Sequence, residues 1–491
     1  MKNLLFCCCI ADPWKEVALN LQDSKKYKPV YWIGWPEDSE NAIREDFPEC
    51  IYHDINDAWK GIFPEELSEI STPQLDGFEL SVYSSEELMA IKMMERLDPD
   101  QMSFSFNERQ HFFRYLLRTW INILKEKEIE LIIAPSIPHR VFDYALYIAA
   151  DVLKIKFLTF KMTVWPGYNL PFYDVDFLPS IGQEAGMGID PVVKKYVEKV
   201  NSSYQTAEPE YMKKQASEAG KGLIRRVLDY FLKYRLSSIP KLLNSSKIYW
   251  KKRGKTLQNS NYLKIEFFGA FIKGYRFKNN LKKYYESICD AYNRKEKYVF
   301  VALHYQPEET SCPSGKIFVD QVLMVEALSK HLPKNVSIFV KEHPSQFNPK
   351  MEGQTGRNLS FYQKLEKIDR VKFISTSINS FHLIDNSLAV ATLTGTVGVE
   401  ALVRGKSAIV FGTAWYESLS GVIKINKRQD LESMYEKIRR HSIDEDAILK
   451  GLTNIRNHSL KAYHYKGVKE KTAISKGETI ENLSDLILNL D

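Results

Sequence analysis

The sequence predicts an α/β protein made of two doubly wound domains that face a central cleft. Within residues 1–180 and again within residues 297–425, short apolar segments alternate with amphipathic ones. Strands that recur with helices between them form parallel sheets, because parallel strands need long crossover connections. Between these stretches the alternation stops, and residues 181–296 are polar and basic. We interpret them as a mainly helical linker or insertion, and we expect helices in residues 426–491 to pack back on the domains.

The first domain is predicted from four strands and three helices. Strands are indicated by the apolar segments NLLFCCCI, PVYWIGW, IELIIAP and KFLTF. Apolar residues at helical spacing occur in SSEELMAIKMMERL, NERQHFFRYLLRTWINILKEK and HRVFDYALYIAADVLKI. The last of these lies between two strands, so together they predict a βαβ unit.

The second domain shows the same alternation more regularly. Strands are predicted for YVFVALHY, VSIFVKEHP, RVKFIS, LAVATLTG and SAIVFG. Helices are predicted for KIFVDQVLMVEALSKHL, INSFHLIDN and TVGVEALVRG, the last one ended by Gly405. Two amphipathic helices, DLESMYEKIRRH and TIENLSDLILNL, follow near the C-terminus.

Composition and cysteine usage are those of a globular protein in a reducing compartment. The chain is 44% hydrophobic and 26% charged, and it has six cysteines in 491 residues. Consecutive Cys7, Cys8 and Cys9 point to alternate faces of a strand, so we expect buried thiols and not a redox or metal site. The N-terminus does not have the pattern of a signal peptide, and no segment is apolar enough to span a membrane. We expect a cytoplasmic protein.

Positive charge is concentrated in the linker. Residues 213–297 contain 16 Lys and 6 Arg against 4 Glu and 2 Asp, a net charge of +16, whereas the whole chain carries +6. Aromatic and aliphatic residues interleave with these cations, which suits an anionic membrane surface or an anionic polymer. A solvated basic helix face explains the pattern equally well. No nucleic-acid-binding module accompanies the charge, so nucleic acid is not an expected partner.

Three strand-end loops of the second domain carry polar side chains where an open parallel sheet binds ligands. They contain His304, Gln306 and Glu308; Lys341, Glu342, His343 and Pro344; and Thr394, Gly395 and Thr396. The third loop enters a helix, whose start suits a phosphate or carboxylate, although Thr394 or Thr396 could simply cap that helix. Lys341 and Glu342 are equally compatible with a solvated strand end.

These motifs together resemble the bacterial capsule polysaccharide synthesis proteins, a family that includes Kdo transferases. The resemblance covers residues 298–420 and rests on LHYQPE, on KEHP and on TLTGTVGVEALVRGKSAIVFGTAWY about fifty residues later. It implies a GT-B glycosyltransferase that uses a CMP-activated ulosonic acid, either Kdo or a nonulosonate. It also implies that no metal cofactor is required, because a CMP-sugar has no diphosphate to coordinate a metal.

The resemblance further implies roles for individual residues. His343, followed by Pro344, would contact the donor phosphate, and Glu400 would hold the ribose. Thr394, Gly395 and Thr396 would line the phosphate or carboxylate pocket. Gln306 and Glu308 would face the sugar, with Glu308 a candidate catalytic group. Some sialyltransferases with a His-Pro motif carry a paired-acid motif in the N-terminal domain, but the nearest match, QLDGFE, has Leu75 before Asp76.

The catalytic candidates in the first domain follow its third strand-like segment, in APSIPHRVFDYALYIAA. His139 or Asp143 could deprotonate an acceptor hydroxyl, and Arg140 could hold an acidic sugar. Helix capping and a surface Arg–Asp pair would explain the same residues.

The sequence thus favours a cytoplasmic transferase, or one peripheral at the inner membrane face, that adds an acidic sugar to a capsule-type acceptor. Two alternatives remain open at this point. One is a GT-B transferase or epimerase for a UDP-sugar, and the other is a scaffold for glycan assembly without catalysis.

Overall fold

The structure of the protein is a computed structural model. It describes residues 1–9, 12–35, 40–68, 75, 77–98, 104–174, 188–202, 246–250, 257–261, 265–348, 351, 353–440 and 442–490. Two compact units are present: unit 1 contains Met1–Met94, Phe104–Gly182 and Asn454–Asp491, and unit 2 contains Glu95–Ser103 and Gln183–Thr453. Asp76 and much of the predicted basic linker, including residues 203–245, lie outside the described residues.

Fifteen strands are described. In chain order they are β1 Lys2–Cys7, β2 Tyr27–Gly34, β3 Ile51–Asp54, β4 Ile129–Ile133, β5 Lys156–Met162, β6 Tyr168–Phe172, β7 Ser246–Trp250, β8 Leu257–Asn261, β9 Tyr298–Ala302, β10 Ser337–Lys341, β11 Val371–Phe373, β12 Ala389–Thr392, β13 Ser407–Val410, β14 Val422–Lys424 and β15 Leu460–Lys461.

The described helices are, in chain order, α1 Asp12–Asp23, α2 Glu40–Asp46, α3 Ile55–Lys60, α4 Gly77–Ser81, α5 Ser84–Met93, α6 Phe106–Glu126, α7 Phe142–Leu153, α8 Pro191–Asn201, α9 Ile265–Ser287, α10 Gln321–His331, α11 Leu359–Glu366, α12 Ser380–Asn386, α13 Val397–Val403, α14 Arg428–Arg440, α15 Glu445–His458, α16 Lys466–Lys469 and α17 Lys476–Leu488. Short 3-10 turns occur at Glu65–Leu67, Met94–Leu97, Lys316–Val319, Pro344–Phe347 and Gly353–Thr355. None of the helices within the described ranges is long and apolar enough to cross a membrane.

Unit 1 is built on a seven-stranded sheet with the order β15-β6-β5-β4-β1-β2-β3. Strands β1 to β5 are parallel; β1, β2, β4 and β5 were predicted, whereas the four-residue β3 was not. Strands β6 and β15 add an antiparallel edge that the sequence did not predict. The edge is hard to recognise because β6 contains Pro171, which is unusual inside a strand, and β15 has only two residues.

Unit 2 is built on a six-stranded sheet that is parallel throughout, with the order β11-β10-β9-β12-β13-β14. Numbered within the unit this is 3-2-1-4-5-6, the order of the Rossmann fold. The five parallel strands of unit 1, β3-β2-β1-β4-β5, follow the same rule. The prediction of two Rossmann-like α/β domains is therefore confirmed. An additional antiparallel hairpin joins β7 and β8.

The predicted helix KIFVDQVLMVEALSKHL is wrong as a single helix. Its first residues form the 3-10 turn Lys316–Val319, and α10 begins only at Gln321. The reason is Asp320, whose side chain accepts a hydrogen bond from Val322 N at 3.1 Å and so caps the helix. Asp is a preferred N-cap residue, so the signal was present in the sequence. By contrast, the predicted stop at Gly405 is confirmed, because α13 ends before this left-handed glycine (φ 73°).

The ends of the chain meet in the core of unit 1. Leu483, Ile487 and Leu490 pack with Leu4 and Phe6 in one apolar cluster. Tyr27 Oη donates a hydrogen bond to Ile487 O (3.2 Å). The segment Asn454–Asp491 therefore belongs to unit 1, whereas α14, also in the predicted C-terminal segment, belongs to unit 2.

The three consecutive cysteines lie at the end of the central strand β1 and just after it. Cys7, Cys8 and Cys9 are buried free thiols, as predicted. Burial raises the pKa values of Cys7 and Cys9, so both remain protonated at neutral pH.

His464 in unit 1 predicts a loss of stability in acid. Its ring is fully buried against Trp14 and Phe160, and neither ring nitrogen has a hydrogen-bond partner in the described part of the chain. Burial lowers its pKa to about 3, whereas an unfolded histidine has a pKa of about 6.5. As the pH falls through 6.5, the unfolded state takes up the proton first, and the free energy of unfolding decreases by up to about 1.4 kcal/mol per pH unit.

We therefore expect His464→Phe to flatten the dependence of unit 1 stability on pH between about 6.5 and 3. Urea unfolding at a series of pH values measures this slope. The exposed His111 in the same unit supplies a matched control, and His111→Phe should keep the wild-type slope. An unchanged slope in His464→Phe would mean that His464 is not the group that titrates.

Candidate functional site

The site begins where the strand order of unit 2 reverses. Strands β9 and β12 are neighbours, and the chain continues outward from them in opposite directions. In doubly wound sheets, ligands bind at the carboxyl ends of the strands beside this switch point. The residues that follow β9 and β12 include two of the three predicted loops, and β10, which precedes the third, lies next to β9.

His304 joins the two loops at the switch point. Its Nε2 accepts a hydrogen bond from Thr394 N (3.2 Å) and lies 2.9 Å from Thr392 Oγ1. Gly395 N donates to the same Thr392 oxygen at 3.3 Å. A Cβ at position 395 would lie 2.9 Å from Thr392 Oγ1 and 3.2 Å from His304 Nε2, so only glycine fits without displacing its neighbours.

The alternative that Thr394 or Thr396 simply caps the helix is wrong for both hydroxyls. Thr394 Oγ1 donates to Thr310 O at 2.7 Å, and the exposed Thr396 makes no capping bond with its side chain. Helix α13 has only seven residues, so we assign no anion site to its N-terminus. The loop instead presents Thr396 to solvent while Thr394 fixes it to the loop after β9.

Glu308 belongs to that same loop. It is exposed, and one carboxylate oxygen accepts a hydrogen bond from Thr310 Oγ1 at 3.0 Å. Partial desolvation raises its pKa. Because Thr310 also accepts the bond from Thr394, the structure brings Glu308 and Thr394 together at one edge of the sheet.

His343 presents a neutral hydrogen-bond donor at the end of β10. It precedes the 3-10 turn Pro344–Phe347, and its Nδ1 accepts a hydrogen bond from Ser345 N at 3.2 Å. The ring proton of neutral His343 therefore sits on Nε2, for which no partner is found among the described residues. Burial, with a smaller contribution from Lys341, lowers the pKa of His343 to about 4. Pro344 is exposed in the first position of the turn.

The expectation that Lys341 and Glu342 could be solvated is wrong, because both are buried. Lys341 Nζ donates to Ile378 O at 2.5 Å and to Ser380 Oγ at 2.9 Å. Glu342 forms an ion pair with Arg357, with Nε and Oε2 2.9 Å apart and both side chains at most 1% exposed. Lys341 and Glu342 thus stabilise the loops from within the protein. Of Lys341, Glu342 and His343, His343 is the one that is partly exposed.

Gln306 is also held within the protein. Its Oε1 accepts from Arg357 Nη1 at 2.9 Å, and its Nε2 donates to Val319 O at 2.6 Å. Both ends of the amide are therefore engaged, so in this structure Gln306 positions its loop and does not offer a polar group to a ligand.

Glu400 lies on α13, one turn beyond Thr396. Burial raises the pKa of its carboxyl to about 7, against the opposing effect of the nearby Arg404 guanidinium. At neutral pH this carboxyl is present in both protonation states, so it can donate a hydrogen bond as well as accept one.

Tyr416, which follows β13, packs against the Thr394–Gly395 loop and the start of α13. Its hydroxyl donates to Gly395 O at 2.5 Å, and its ring lies where a Cβ at Gly398 would be. The resemblance includes an aromatic residue at this point, in AWY, but the sequence did not indicate what the ring would contact.

The predicted residues of unit 1 cluster between β4 and α7. Asp143 is buried, and its carboxylate accepts from Arg140 N at 2.6 Å and from Arg140 Nη1 at 3.2 Å. His139 Nδ1 lies 2.7 Å from Ile137 O, so Nδ1 carries the ring proton and Nε2 is the basic nitrogen. The expected Arg–Asp pair is thus present, with Asp143 buried and Arg140 partly exposed. The cluster follows β4, which neighbours β1 at the switch point of this sheet.

No group of three or more His, Cys, Asp or Glu within the described ranges is placed to hold a metal ion.

Comparisons with known proteins give one family and several distant folds. Residues 209–446 match the family described as capsule polysaccharide biosynthesis protein, which confirms the predicted resemblance. No curated protein matches the chain.

Three solved structures illustrate the structural matches. KpsC of Thermosulfurimonas dismutans, a β-Kdo 2,7-transferase, is 12% identical, with 94% of this chain and 100% of that chain covered and a TM-score of 0.30. UDP-GlcNAc 2-epimerase of Methanocaldococcus jannaschii is 11% identical, with 90% and 94% covered and a TM-score of 0.24. A glycosyltransferase of Rickettsia africae is 11% identical, with 100% and 99% covered and a TM-score of 0.23. At these scores the fold assignment depends on the two sheets themselves.

Proposed function

We propose that the chain, whose residues 209–446 match the capsule polysaccharide biosynthesis family, is a glycosyltransferase. It transfers an acidic ulosonic sugar, Kdo or a nonulosonate, from a CMP-sugar to a capsule-type glycan acceptor, without a metal cofactor. Unit 2 binds the donor beside its switch point, and Arg140 of unit 1 is the candidate for holding an acidic sugar.

The observation that supports the proposal is the protonation state and position of His343. A neutral imidazole, whose Nε2–H has no partner among the described residues, stands at the carboxyl edge of the sheet where nucleotides bind in this fold. Such a donor stabilises negative charge that develops on the phosphate of a departing nucleotide. Its low pKa keeps it neutral and donating at every pH above about 5.

The reaction follows from these groups. An acceptor hydroxyl attacks the anomeric carbon, the bond from that carbon to the phosphate oxygen breaks, and CMP leaves with the electron pair. The hydroxyl proton passes to the protein, and His139 has the tautomer that a base needs, because its Nδ1–H is bonded to Ile137 O. Asp143, which forms an ion pair with Arg140, is the second candidate for this base.

Contact with the cytoplasmic membrane face is part of the proposal. Helix α9 exposes Lys273, Arg276, Lys282 and Lys283 together with Phe277, a combination that suits anionic headgroups.

Nucleotide binding tests the proposal directly. Incubation with CMP, UDP or GDP at about 100 times the dissociation constant should raise the unfolding free energy by about 2.7 kcal/mol for the nucleotide that binds. We expect the melting temperature to rise with CMP alone. A shift with UDP and none with CMP would replace the donor assignment with a UDP-sugar, and no shift with any nucleotide would favour a non-catalytic scaffold.

A further inference from the structure

Arg357 is a buried charge that contacts two loops of the proposed donor site. Its Nε donates to Glu342 Oε2 (2.9 Å), Nη1 to Gln306 Oε1 (2.9 Å), and Nη2 to His304 O (3.0 Å). The guanidinium also stacks on the ring of Phe361, 4.0 Å from its centroid. The three acceptors come from the loops after β9 and β10, so one side chain ties both loops together.

Net stabilisation of the fold is a weak explanation for the buried Arg357–Glu342 ion pair. Removing two charges from water costs about as much as their attraction returns, and well-packed apolar residues are often as stable. What an arginine supplies that apolar residues do not is a fixed fork of donors, which sets the relative position of several acceptors at once.

Glu342 connects Arg357 to His343. The second oxygen of the same carboxylate, Glu342 Oε1, accepts a hydrogen bond from His343 N at 2.8 Å. Tyr362 Oη donates to Glu342 Oε2 at 2.9 Å and so fixes the carboxylate from a third side. Arg357 also binds the backbone oxygen of His304, and the ring Nε2 of His304 accepts a hydrogen bond from Thr394 N.

We propose that Arg357 is the positioning residue of the donor site: through Glu342 it orients His343, and through His304 it orients the Thr394–Gly395 loop. This inference deepens the proposed function and rests on it for the identity of the ligand. Arg357 itself need not touch the nucleotide, because Nε, Nη1 and Nη2 each already donate a hydrogen bond within the protein.

The variant Arg357→Lys distinguishes a positioning role of Arg357 from a role of its positive charge alone. Arg357→Lys keeps a cation opposite Glu342 but has no fork to reach Gln306 and His304 at the same time. The chain offers a matched control in Arg370, a second multidentate arginine at the amino end of the same strands. Arg370 Nη1 donates to Pro333 O (2.7 Å) and Val336 O (2.9 Å) just before β10. Arg370→Lys therefore also loses several arginine hydrogen bonds, in this case to backbone carbonyls at the opposite edge of the sheet.

The first measurement follows the His343 ring by NMR in full-length protein labelled at histidine, with assignment from His343→Asn. In the wild type and in Arg370→Lys, the ring should titrate near pH 4. In Arg357→Lys the loosened ring becomes hydrated, and its pKa should move toward 6.5. This readout needs no nucleotide, so it decides the inference even if the proposed donor is wrong.

The second measurement is the affinity for CMP by calorimetry. We expect the dissociation constant to rise about tenfold in Arg357→Lys and to stay within twofold in Arg370→Lys, although both variants melt at lower temperature. If Arg357→Lys does not fold, Phe361→Leu removes the stacking partner more gently and should weaken CMP binding by a smaller factor. Wild-type titration and affinity in Arg357→Lys, or equal losses in both lysine variants, would overturn the positioning role. Absence of CMP binding by the wild type would instead refute the donor assignment.

Discussion

Replacing His343 with alanine will lower the rate of sugar transfer by about 100-fold or more, because one hydrogen-bond donor to developing charge is commonly worth that factor. The loss should appear in kcat, since the charge on the phosphate is largest in the transition state. The measurement is the rate of CMP release from a CMP-sugar in the presence of acceptor.

Two further variants separate donation from folding. His343 also caps the turn Pro344–Phe347, so alanine removes a cap worth about 1 kcal/mol. His343→Asn keeps a capping oxygen but lacks the outward Nε2–H, and we expect it to be nearly as inactive as alanine while it melts close to the wild type. The exposed His382 of unit 2 is the neutral comparison, and His382→Ala should retain full activity. Full activity in His343→Asn would assign His343 to capping alone.

Replacing Gly398 with alanine will displace Tyr416 and so disrupt the Thr394–Gly395 loop that Tyr416 contacts. The new Cβ would lie 2.1 Å from Tyr416 Oη and 2.7 Å from Cζ, and Tyr416 is fully buried, so its ring cannot retreat into solvent. Overpacking of this kind costs about 1–3 kcal/mol. Displacement of the ring also breaks the bond from Tyr416 Oη to Gly395 O, so we expect both a lower melting temperature and loss of CMP binding.

Gly477 provides the matched control for this substitution. It is likewise the second residue of a helix, α17, but a Cβ there would meet no atom within 4 Å. Gly477→Ala should therefore leave stability equal or slightly higher, as expected for alanine in a helix. The double variant Gly398→Ala, Tyr416→Phe removes the closest clash and should recover part of the lost stability. If the single Gly398 variant melts like Gly477→Ala, the contact with Tyr416 is not as tight as described.

The sequence predicted four of the five parallel strands of unit 1, five of the six strands of the unit 2 sheet and the three loops, because these depend on local pattern. Apolar runs such as that of β9 indicate buried parallel strands, and polar residues directly after them mark the binding edge. The helix start at Asp320 was missed although its capping signal was present. The roles of His139, Asp143, Arg140, Glu308 and Glu400 in the reaction stay predictions.

The parts that could not be predicted depend on tertiary contacts. Arg357 lies in a stretch without periodic pattern, and its partner Glu342 is 15 residues away in the sequence. Without that partner, a Lys-Glu pair at a strand tip is more typical of a solvated turn. Likewise the engagement of Gln306 by Val319 and Arg357 is visible only once the loops are folded together.

The position of α17 has a consequence for how the protein is made. Leu483, Ile487 and Leu490 complete an apolar cluster whose other members include Leu4, Trp14 and Leu21. Synthesis reaches these three residues only after both segments of unit 2, Glu95–Ser103 and Gln183–Thr453, have been translated. We therefore expect unit 2 to finish folding first on the ribosome, while unit 1 waits with part of its apolar surface uncovered. During that interval unit 1 is the segment most exposed to aggregation and most dependent on chaperones.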